Sequence, residues 1–260
     1  MPRLSSVQNL LRELVARPSI NPTFLENRPD LTGEERVAEF LEDMATSAGI
    51  EVRRQPVLPG RKNLIARISP LGKTKHRVML TPHLDVVPAP EKDFTPRIKQ
   101  GKMHGRGTCD TKGSVAAFFT AFLDLARKGG RPKETEVLFV GLVDEEFGQA
   151  GSRMLAQKGP KGDLALAGEP TGLQVVTAHK GNLWLQLKTK GKSAHGSTPQ
   201  HGRNAIEAMT PVLEFLFGEY PNDLKSRTHP LLGSATLSVG KIRGGSQPNV
   251  VPNECVVDLD

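Results

Sequence analysis

Apolar residues in the first 178 positions alternate between helical and extended spacing. Pro18 ends the first helical pattern, and Thr32 followed by Glu35 resembles a capping box opening the second. Gly129-Gly130 ends the third. The predicted helices are Leu4–Ala16, about Gly33–Ala48, Gly113–Lys128 and Ser152–Gln157, and the predicted strands are Glu51–Val57, Asn63–Ile68, Arg77–Leu80, Glu136–Val143 and Leu164–Ala167.

Two of these strands read as buried. Glu136–Val143 is a nearly continuous apolar run, which indicates a strand covered on both faces, and Leu164–Ala167 reads as a shorter strand of the same kind. Alternation of such strands with helices predicts a layered α/β sheet. We therefore expect residues 1–178 to form one α/β domain.

The pattern changes after Ala178. Residues 182–190 alternate apolar and polar positions, which indicates a strand with one solvated face. A helix is predicted over about Asn204–Phe217, with strands at Ala235–Ile242 and Cys255–Leu259. This order predicts a small α+β domain over residues 179–260. Because the chain ends at Asp260 inside a strand pattern, we expect a continuation to be missing.

Composition narrows the class of protein. The 260 residues carry a net charge of +7, but the basic residues are scattered and only 5% of residues are aromatic, so no nucleic-acid partner is expected. A mild positive field would attract carboxylate substrates. Two cysteines, Cys109 and Cys255, are too few for a disulfide framework. With neither a signal peptide nor a membrane-spanning apolar stretch, the sequence predicts a cytoplasmic location and no membrane partner.

Candidate chemistry lies where predicted strands end, the usual ligand-binding edge of an open α/β sheet. His83 and Asp85 follow one strand, and their spacing places both side chains on one side of an extended segment. A metal-bound imidazole commonly donates its other N–H to a carboxylate, and Asp85 is a candidate for that partner. The alternative is an ordinary hydrogen-bonded histidine at a strand end.

Three further acidic sites follow. Asp110 precedes the long helix, Asp144-Glu145-Glu146 follows the buried strand, and Glu169 follows Leu164–Ala167. Each has a plainer interpretation: an N-cap, a solvated loop of charges, or an exposed turn. Three consecutive acids nevertheless repel one another unless a cation is present. One histidine with carboxylates suits a divalent metal, and two cations sharing a carboxylate would form a co-catalytic pair.

Five motifs appear in an order that resembles one known family. HLDVVP, GRGTCDTKG, DEEFGQAGS, AGEPT and GKSAHGSTP together resemble the M20 metallopeptidases, which include acetylornithine deacetylase and succinyl-diaminopimelate desuccinylase. The resemblance covers nearly the whole chain. It implies a zinc-peptidase-like layered catalytic domain with an inserted α+β lid that also dimerises.

The resemblance implies a metal centre of two zinc ions per subunit. His83 and Glu169 would bind the first zinc, Asp110 would bridge both, and Glu146 would bind the second. Asp85 would orient His83. Cobalt or manganese could occupy the same ligands. The family's second zinc also takes a histidine from a return segment, which would follow Asp260.

The resemblance also implies a reaction. A zinc-activated water would hydrolyse an amide bond with Glu145 as general base, and His195 would reach across a homodimer to polarise the substrate carbonyl. Arg203 and Asn249 fall in GRNAI and QPNVVP, at positions that bind substrate in the family. The expected substrate is a small N-acyl amino acid.

Two alternatives remain open at this point. One is an exopeptidase or dipeptidase of the same family acting on short peptides. The other is a non-catalytic homologue or a fragment, since the expected histidine of the second zinc does not occur before Asp260. The glutamate in AGEPT favours the deacetylase and desuccinylase branch.

Overall fold

The computed structural model of the chain describes residues 6–127 and 130–260. They divide into two compact units, the first ending at Leu173 and the second running from Gln174 to Asp260. The division predicted from the sequence lay after residue 178, and the catalytic and lid roles given to its two parts stay predictions. Leu4, Lys128 and Gly129, at the ends of predicted helices, lie outside the described residues.

The first unit alternates helices and strands as the apolar spacing predicts. Its helices are α1 (Ser6–Val15), α2 (Glu35–Ser47), α3 (Lys112–Arg127) and α4 (Ala150–Lys158), and its strands are β1 (Glu51–Leu58), β2 (Arg61–Ile68), β3 (His76–Thr81), β4 (Arg97–Lys99), β5 (Lys102–His104), β6 (Thr135–Gly141) and β7 (Leu164–Ala167). Strands β4 and β5 form a separate hairpin that the sequence pattern did not predict.

Five strands form a mixed sheet in the order β1-β2-β6-β3-β7. Strands β1, β2 and β6 pair antiparallel, while β3 pairs parallel with both β6 and β7. The carboxyl ends of β3, β6 and β7 therefore meet at one edge of the sheet. The predicted α/β class is confirmed, and this edge carries the candidate site.

Apolar side chains cover both faces of the central strands. Phe139 of β6 packs with α1, α2 and α3, whereas Leu138 and Val140 pack with Leu155 of α4 on the other face. Since successive strand residues point to opposite faces, a strand covered on both sides needs a continuous apolar run. The prediction of a doubly covered β6 is confirmed.

Two sequence-based predictions are wrong. Thr32 does not cap α2, because residues 28–32 close a turn in which its hydroxyl donates to the main-chain oxygen of Arg28 at 3.0 Å; the helix begins at Glu35 after Glu34. Strand β7 is exposed rather than buried, with Leu164 55% and Leu166 38% exposed. It lies at the edge of the sheet, paired only with β3.

The second unit is a three-stranded antiparallel sheet with a helix packed on one face. Strands β8 (Leu185–Lys190), β11 (Val239–Gly244) and β12 (Glu254–Leu259) pair in the order β11-β12-β8. Helix α5 (Ala205–Gly218) buries Ala205 and Met209 against Cys255 and Val257 of β12. The Asn204 side chain accepts hydrogen bonds from the first-turn amides of α5. The remaining elements are α6 (Tyr220–Ser226), β9 (Thr228–His229) and β10 (Gly233–Ser234).

Among the described residues of both units, no helix combines the length and the apolar character needed to cross a membrane.

Lys112 joins α1 to the start of α3. Its side chain is buried, and Nζ donates to the main-chain oxygens of Leu14 at 2.9 Å and Arg17 at 2.7 Å. These carbonyls lie at the carboxyl end of α1, where a lysine is a favourable partner. Burial, with smaller contributions from the charges of Arg36 and Arg17, lowers the pKa of Lys112 to about 7. The contact fixes the segment that carries Asp110.

Lys112→Met should change how stability depends on pH. In the wild-type chain, burial of the charged amine opposes folding below pH 7, and this cost falls as pH rises from about 7 towards the ordinary lysine value of 10.5. The free energy of unfolding of wild type should therefore rise relative to the variant by roughly 2 kcal/mol between pH 7 and pH 9. Urea denaturation with EDTA present measures the free energy of unfolding of wild type and Lys112→Met at each pH. If the two free energies change with pH in parallel, the pKa of Lys112 is not lowered.

Candidate metal centre

Four segments bring histidine and carboxylate side chains to one edge of the first unit's sheet. Beyond β3 and β6 the parallel pairing continues: the Leu84 amide donates to the Leu142 oxygen at 2.8 Å, and the Leu142 amide donates to the Pro82 oxygen at 2.9 Å. This pairing places His83 next to the turn that contains Glu145. Glu169 follows the neighbouring strand β7 and Asp110 precedes α3.

Three carboxylates surround the Nε2 atom of His83. Asp110 Oδ1 lies 3.0 Å from it, and Glu145 Oε2 and Glu169 Oε1 each lie 3.8 Å away. One potential ligand atom from each of His83, Asp110 and Glu169 falls within 4.8 Å of the others. The imidazole is buried, while these carboxylates are one-third to one-half exposed, so the group opens to solvent on its acidic side.

The second ring nitrogen of His83 is held by Asp85, mainly through the main chain. Nδ1 lies 2.9 Å from the main-chain oxygen of Asp85 and 3.6 Å from its carboxylate Oδ1. A proton on Nδ1 satisfies the carbonyl, and Nε2 is the nitrogen that faces Asp110 and Glu169 and would bind a metal ion in place of its proton. The sequence assigned this orienting contact to the Asp85 carboxylate; in the structure the carbonyl is the nearer partner.

The Asp85 carboxylate instead holds the acidic turn. It accepts hydrogen bonds from the amides of Glu145 at 3.0 Å and Glu146 at 3.1 Å, and from Asn21 Nδ2 at 2.7 Å. The aspartate is fully buried. A buried carboxylate needs hydrogen-bond donors, and these three donors satisfy Asp85. Two of them are main-chain amides, so the contact also fixes the main chain of Glu145 and Glu146.

The segments carrying Asp110 and Glu169 are also joined. The hydroxyl of Thr111 donates to the main-chain oxygen of Gly168. A Cβ on Gly168 would lie 2.8 Å from the Ser114 side chain, so only glycine permits this approach of the β7 end to α3. The Asp110–Thr111 peptide bond is cis.

Burial and the nearby acidic charges shift the pKa values of the group. Burial raises the pKa of Glu146 and Glu169 to about 7, and the charges of Asp85, Asp110 and Glu145 add to this effect. Burial likewise raises the pKa of Glu145. For His83 burial lowers the pKa, but hydrogen bonds to Asp110 and Asp85 and the nearby acidic charges outweigh it and raise the pKa to about 11.

Burial is the largest cause of the shifts in the glutamates, and a surplus of negative charge adds to it and raises the pKa of His83. A divalent cation among the carboxylates would supply the missing positive charge. One imidazole nitrogen with carboxylate oxygens is a donor set that zinc, cobalt and manganese accept. His83, Asp110 and Glu169 therefore fit a metal ion in both geometry and chemistry.

Glu146 is not part of that three-residue group. Its amide is fixed by Asp85, and its carboxyl is half-buried on the same acidic turn. Asp110 and Glu146 as ligands of a second ion stay a prediction.

The predicted site residues of the second unit lie on neighbouring loops whose main chains are hydrogen-bonded to each other. His195 forms an isolated bridge with Val250, and the Gly196 amide donates to the Asn249 oxygen at 2.7 Å. Arg203 pairs with Lys192 at the base of the same loop. His195 Nδ1 lies 2.7 Å from the Ser197 hydroxyl. The side chains of His195, Arg203 and Asn249 are exposed, and their roles stay predictions.

Sequence reasoning missed the residues behind the acidic turn. Asn21 and Glu34 are buried, and each contacts the turn that carries Glu145. Asp144 adopts a left-handed conformation with φ of 65°, which few non-glycine residues adopt. A buried asparagine in a loop far from the motifs gives no local signal, although three adjacent acids did mark the turn itself.

Comparison with known proteins identifies the family. The sequence profile of Peptidase family M20/M25/M40 matches residues 79–258, which include every residue of the group described above. The chain belongs to this family. The matched range includes parts of both units, so the resemblance expected from the five motifs is confirmed.

The M20 relatives include both deacylases and peptidases. The chain is 33% identical over 261 residues to acetylornithine deacetylase of Shigella sonnei (strain Ss046), covering 96% of this chain and 66% of the deacetylase. The fold of this chain matches that of an M20 family metallo-carboxypeptidase from Sulfolobus solfataricus at a TM-score of 0.71 and 17% identity, over 98% of this chain and 70% of the carboxypeptidase chain.

A second solved structure is aminopeptidase PepT from Bacillus cereus ATCC 10987. It matches at a TM-score of 0.65 and 22% identity, over 98% of this chain and 65% of that one. The chain thus spans about two thirds of the length of the M20 proteins that it matches.

Zinc should stabilise the wild-type chain through the His83 group. At a free Zn²⁺ concentration of 100 times Kd, the melting temperature should rise by roughly 5–10 °C. His83→Ala should abolish the rise, because it removes the only nitrogen ligand of the group. His104→Ala, at an exposed histidine of the same unit, is the matched control and should keep it. Thermal denaturation with and without Zn²⁺ measures this; an equal rise in His83→Ala would place the ion elsewhere.

Proposed function

We propose that this M20 chain is a metal-dependent hydrolase of the amide bond in N-acyl amino acids. The observation that supports the proposal most directly is the placement of Glu145 Oε2, 3.8 Å from the His83 nitrogen that faces Asp110 and Glu169. A carboxylate at the margin of a metal group, itself partly exposed, is suited to proton transfer with a substrate. The deacetylase relative supports the choice of substrate class.

His83, Asp110 and Glu169 would hold the first metal ion, and Asp110 with Glu146 would hold a second. Zinc is the proposed ion at both positions, with cobalt or manganese able to replace it. When bound, the metal lowers the pKa of water and polarises the carbonyl of the scissile amide. The donor set and the surplus of negative charge support this assignment.

Glu145 would act as general base and then as general acid. It would accept a proton from the attacking water and return it to the leaving amine, so the same oxygen must bind and release a proton near neutral pH. Burial raises the pKa of Glu145, which moves the carboxyl in the direction that such exchange requires. The amide of Glu145, fixed on Asp85, limits where this carboxyl can go.

Three residues of the second unit would also act on a substrate. His195 would donate to the oxyanion that develops on the carbonyl, and Arg203 and Asn249 would bind the substrate carboxylate and polar groups. The exposure of these side chains on adjoining loops supports a contact with a partner or substrate. In the proposal, His195 acts on the active site of a second subunit in a homodimer.

Replacing Glu145 should separate metal binding from turnover. Glu145→Gln keeps the shape of the side chain but cannot accept the proton, so kcat for release of ornithine from N-acetylornithine should fall roughly 10²–10⁴-fold. Zn²⁺ content should stay at the wild-type value, since His83, Asp110 and Glu169 remain. Glu39→Gln, at an exposed residue of α2, is the control.

Parallel assays on N-succinyl-diaminopimelate and on dipeptides distinguish deacylase from peptidase. Faster hydrolysis of dipeptides would replace the proposed substrate class with short peptides. A folded, zinc-loaded chain that hydrolyses neither class would contradict the proposal in favour of a non-catalytic homologue.

A further inference from the structure

A buried polar cluster lies behind the turn that carries Glu145 and Glu146. It consists of Asn21, Glu34, Arg61 and Asp144, which come from four separate segments of the first unit. Glu34 is 2% exposed, Asn21 is fully buried, and the Arg61 side chain is 12% exposed. Charged groups are seldom buried unless they are paired, so the contacts of this cluster require an explanation.

Arg61 connects two carboxylates from different segments. Nε donates to Glu34 Oε2 at 3.0 Å, and the adjacent terminal nitrogen donates to Glu34 Oε1. The other terminal nitrogen, Nη1, donates to Asp144 Oδ1 at 2.9 Å. The planar guanidinium therefore holds Glu34 with a two-point fork and still reaches Asp144, a geometry that lysine cannot reproduce.

Asp144 in turn fixes the path of the main chain into the acidic turn. Its amide donates to Glu34 Oε1 at 3.1 Å, so both its side chain and its main chain contact the Arg61–Glu34 pair. The left-handed φ of 65° is unfavourable for an aspartate and persists only where neighbouring contacts hold it. The next amide, that of Glu145, then points at Asp85.

Asn21 connects this cluster to Asp85, which contacts His83 of the proposed metal group (His83, Asp110 and Glu169). Its single Nδ2 donates to Asp85 Oδ2 at 2.7 Å and to Asp144 Oδ1 at 3.0 Å. Two buried carboxylates would otherwise repel each other, and one amide group satisfies both. Contacts therefore run from Arg61 through Asp144 and Asn21 to Asp85, whose main-chain oxygen holds the His83 ring.

We propose that Arg61 is a positioning residue for the metal site: together with Glu34 and Asn21 it fixes Asp144, and thereby sets Glu145, Glu146 and Asp85 relative to His83. The inference rests on the proposed metal-dependent function. The side-chain contacts of Arg61 are with Glu34 and Asp144 and not with the proposed metal ligands, so it acts through Asp144. Residues that hold the ligands of a metal site in position typically contribute about 10- to 100-fold to metal affinity or activity.

A second buried ion pair in the same unit provides a matched control. Glu136, at the start of β6, is 1% exposed and is bound by Arg67 and Arg77. It lies at the opposite end of the strand whose carboxyl end leads into Asp144. Arg77→Met and Arg61→Met each remove one guanidinium from a buried carboxylate. Arg77→Met does so far from the proposed metal ligands, whereas Arg61→Met does so next to the turn that carries Glu145 and Glu146.

The experiment measures zinc affinity by competition with a chromogenic chelator for wild type, Arg61→Met, Arg61→Lys and Arg77→Met. Arg61→Met should bind Zn²⁺ about 10- to 100-fold more weakly than wild type. Arg61→Lys should recover part of that loss, because it restores the charge but not the fork. Arg77→Met should lower the melting temperature while leaving zinc affinity at the wild-type value.

Turnover gives a second readout. With N-acetylornithine at saturating Zn²⁺, Arg61→Met should lower kcat with little change in KM, since the misplaced group is Glu145 and not the substrate-binding loops. If Arg61→Met does not fold, Glu34→Gln, which keeps the shape and weakens the fork, should show a smaller loss of zinc affinity in the same direction.

Two results separate the possible failures. If wild type binds Zn²⁺ and Arg61→Met binds it as tightly as Arg77→Met, the Arg61 cluster is a stabilising ion pair only and the positioning proposal is wrong. If wild type binds no Zn²⁺, the proposed function itself is overturned.

Discussion

The first unit is organised around a concentration of negative charge beside one buried imidazole. Asp85, Asp110, Glu145 and Glu169 all lie close to His83, and the acidic surroundings raise the pKa of the imidazole to about 11. Such a group is unfavourable unless each carboxylate has donors or a cation. Main-chain amides of the acidic turn donate hydrogen bonds to Asp85, and the proposed metal would neutralise part of the remaining charge.

The sheet meets part of the constraint through topology. Because β3, β6 and β7 are parallel, the residues that follow them reach the same edge without long loops. The buried acids behind the site have protein donors. Asp85 accepts hydrogen bonds from Asn21 and the Glu145 amide, and Asp144 accepts one from Arg61. The partly exposed carboxylates of Asp110 and Glu169 would then be available to the proposed cation.

Much of this fold follows from periodicity, and the rest depends on distant contacts. The apolar run of β6 predicts a strand covered on both faces, and the histidine and acids at strand ends predict the metal group. Spacing did not reveal that the Thr32 hydroxyl bonds to the Arg28 carbonyl four residues earlier, because the same residue types also fit a capping box. It could not reveal that β7 is an exposed edge, because that depends on which strands pair beside it. Asn21 and Arg61 were missed because their partners are distant in sequence: Asp85 lies 64 residues from Asn21, and Glu34 and Asp144 lie 27 and 83 residues from Arg61.

The proposed metal centre requires that His83, Asp110 and Glu169 bind one divalent ion. Anomalous diffraction at the zinc absorption edge, from crystals grown with Zn²⁺, tests it most directly. We expect a peak at about 2.0–2.2 Å from His83 Nε2 and from carboxylate oxygens of Asp110 and Glu169. A zinc-containing crystal with no peak among these three residues, or with its peaks only at other sites, would contradict it.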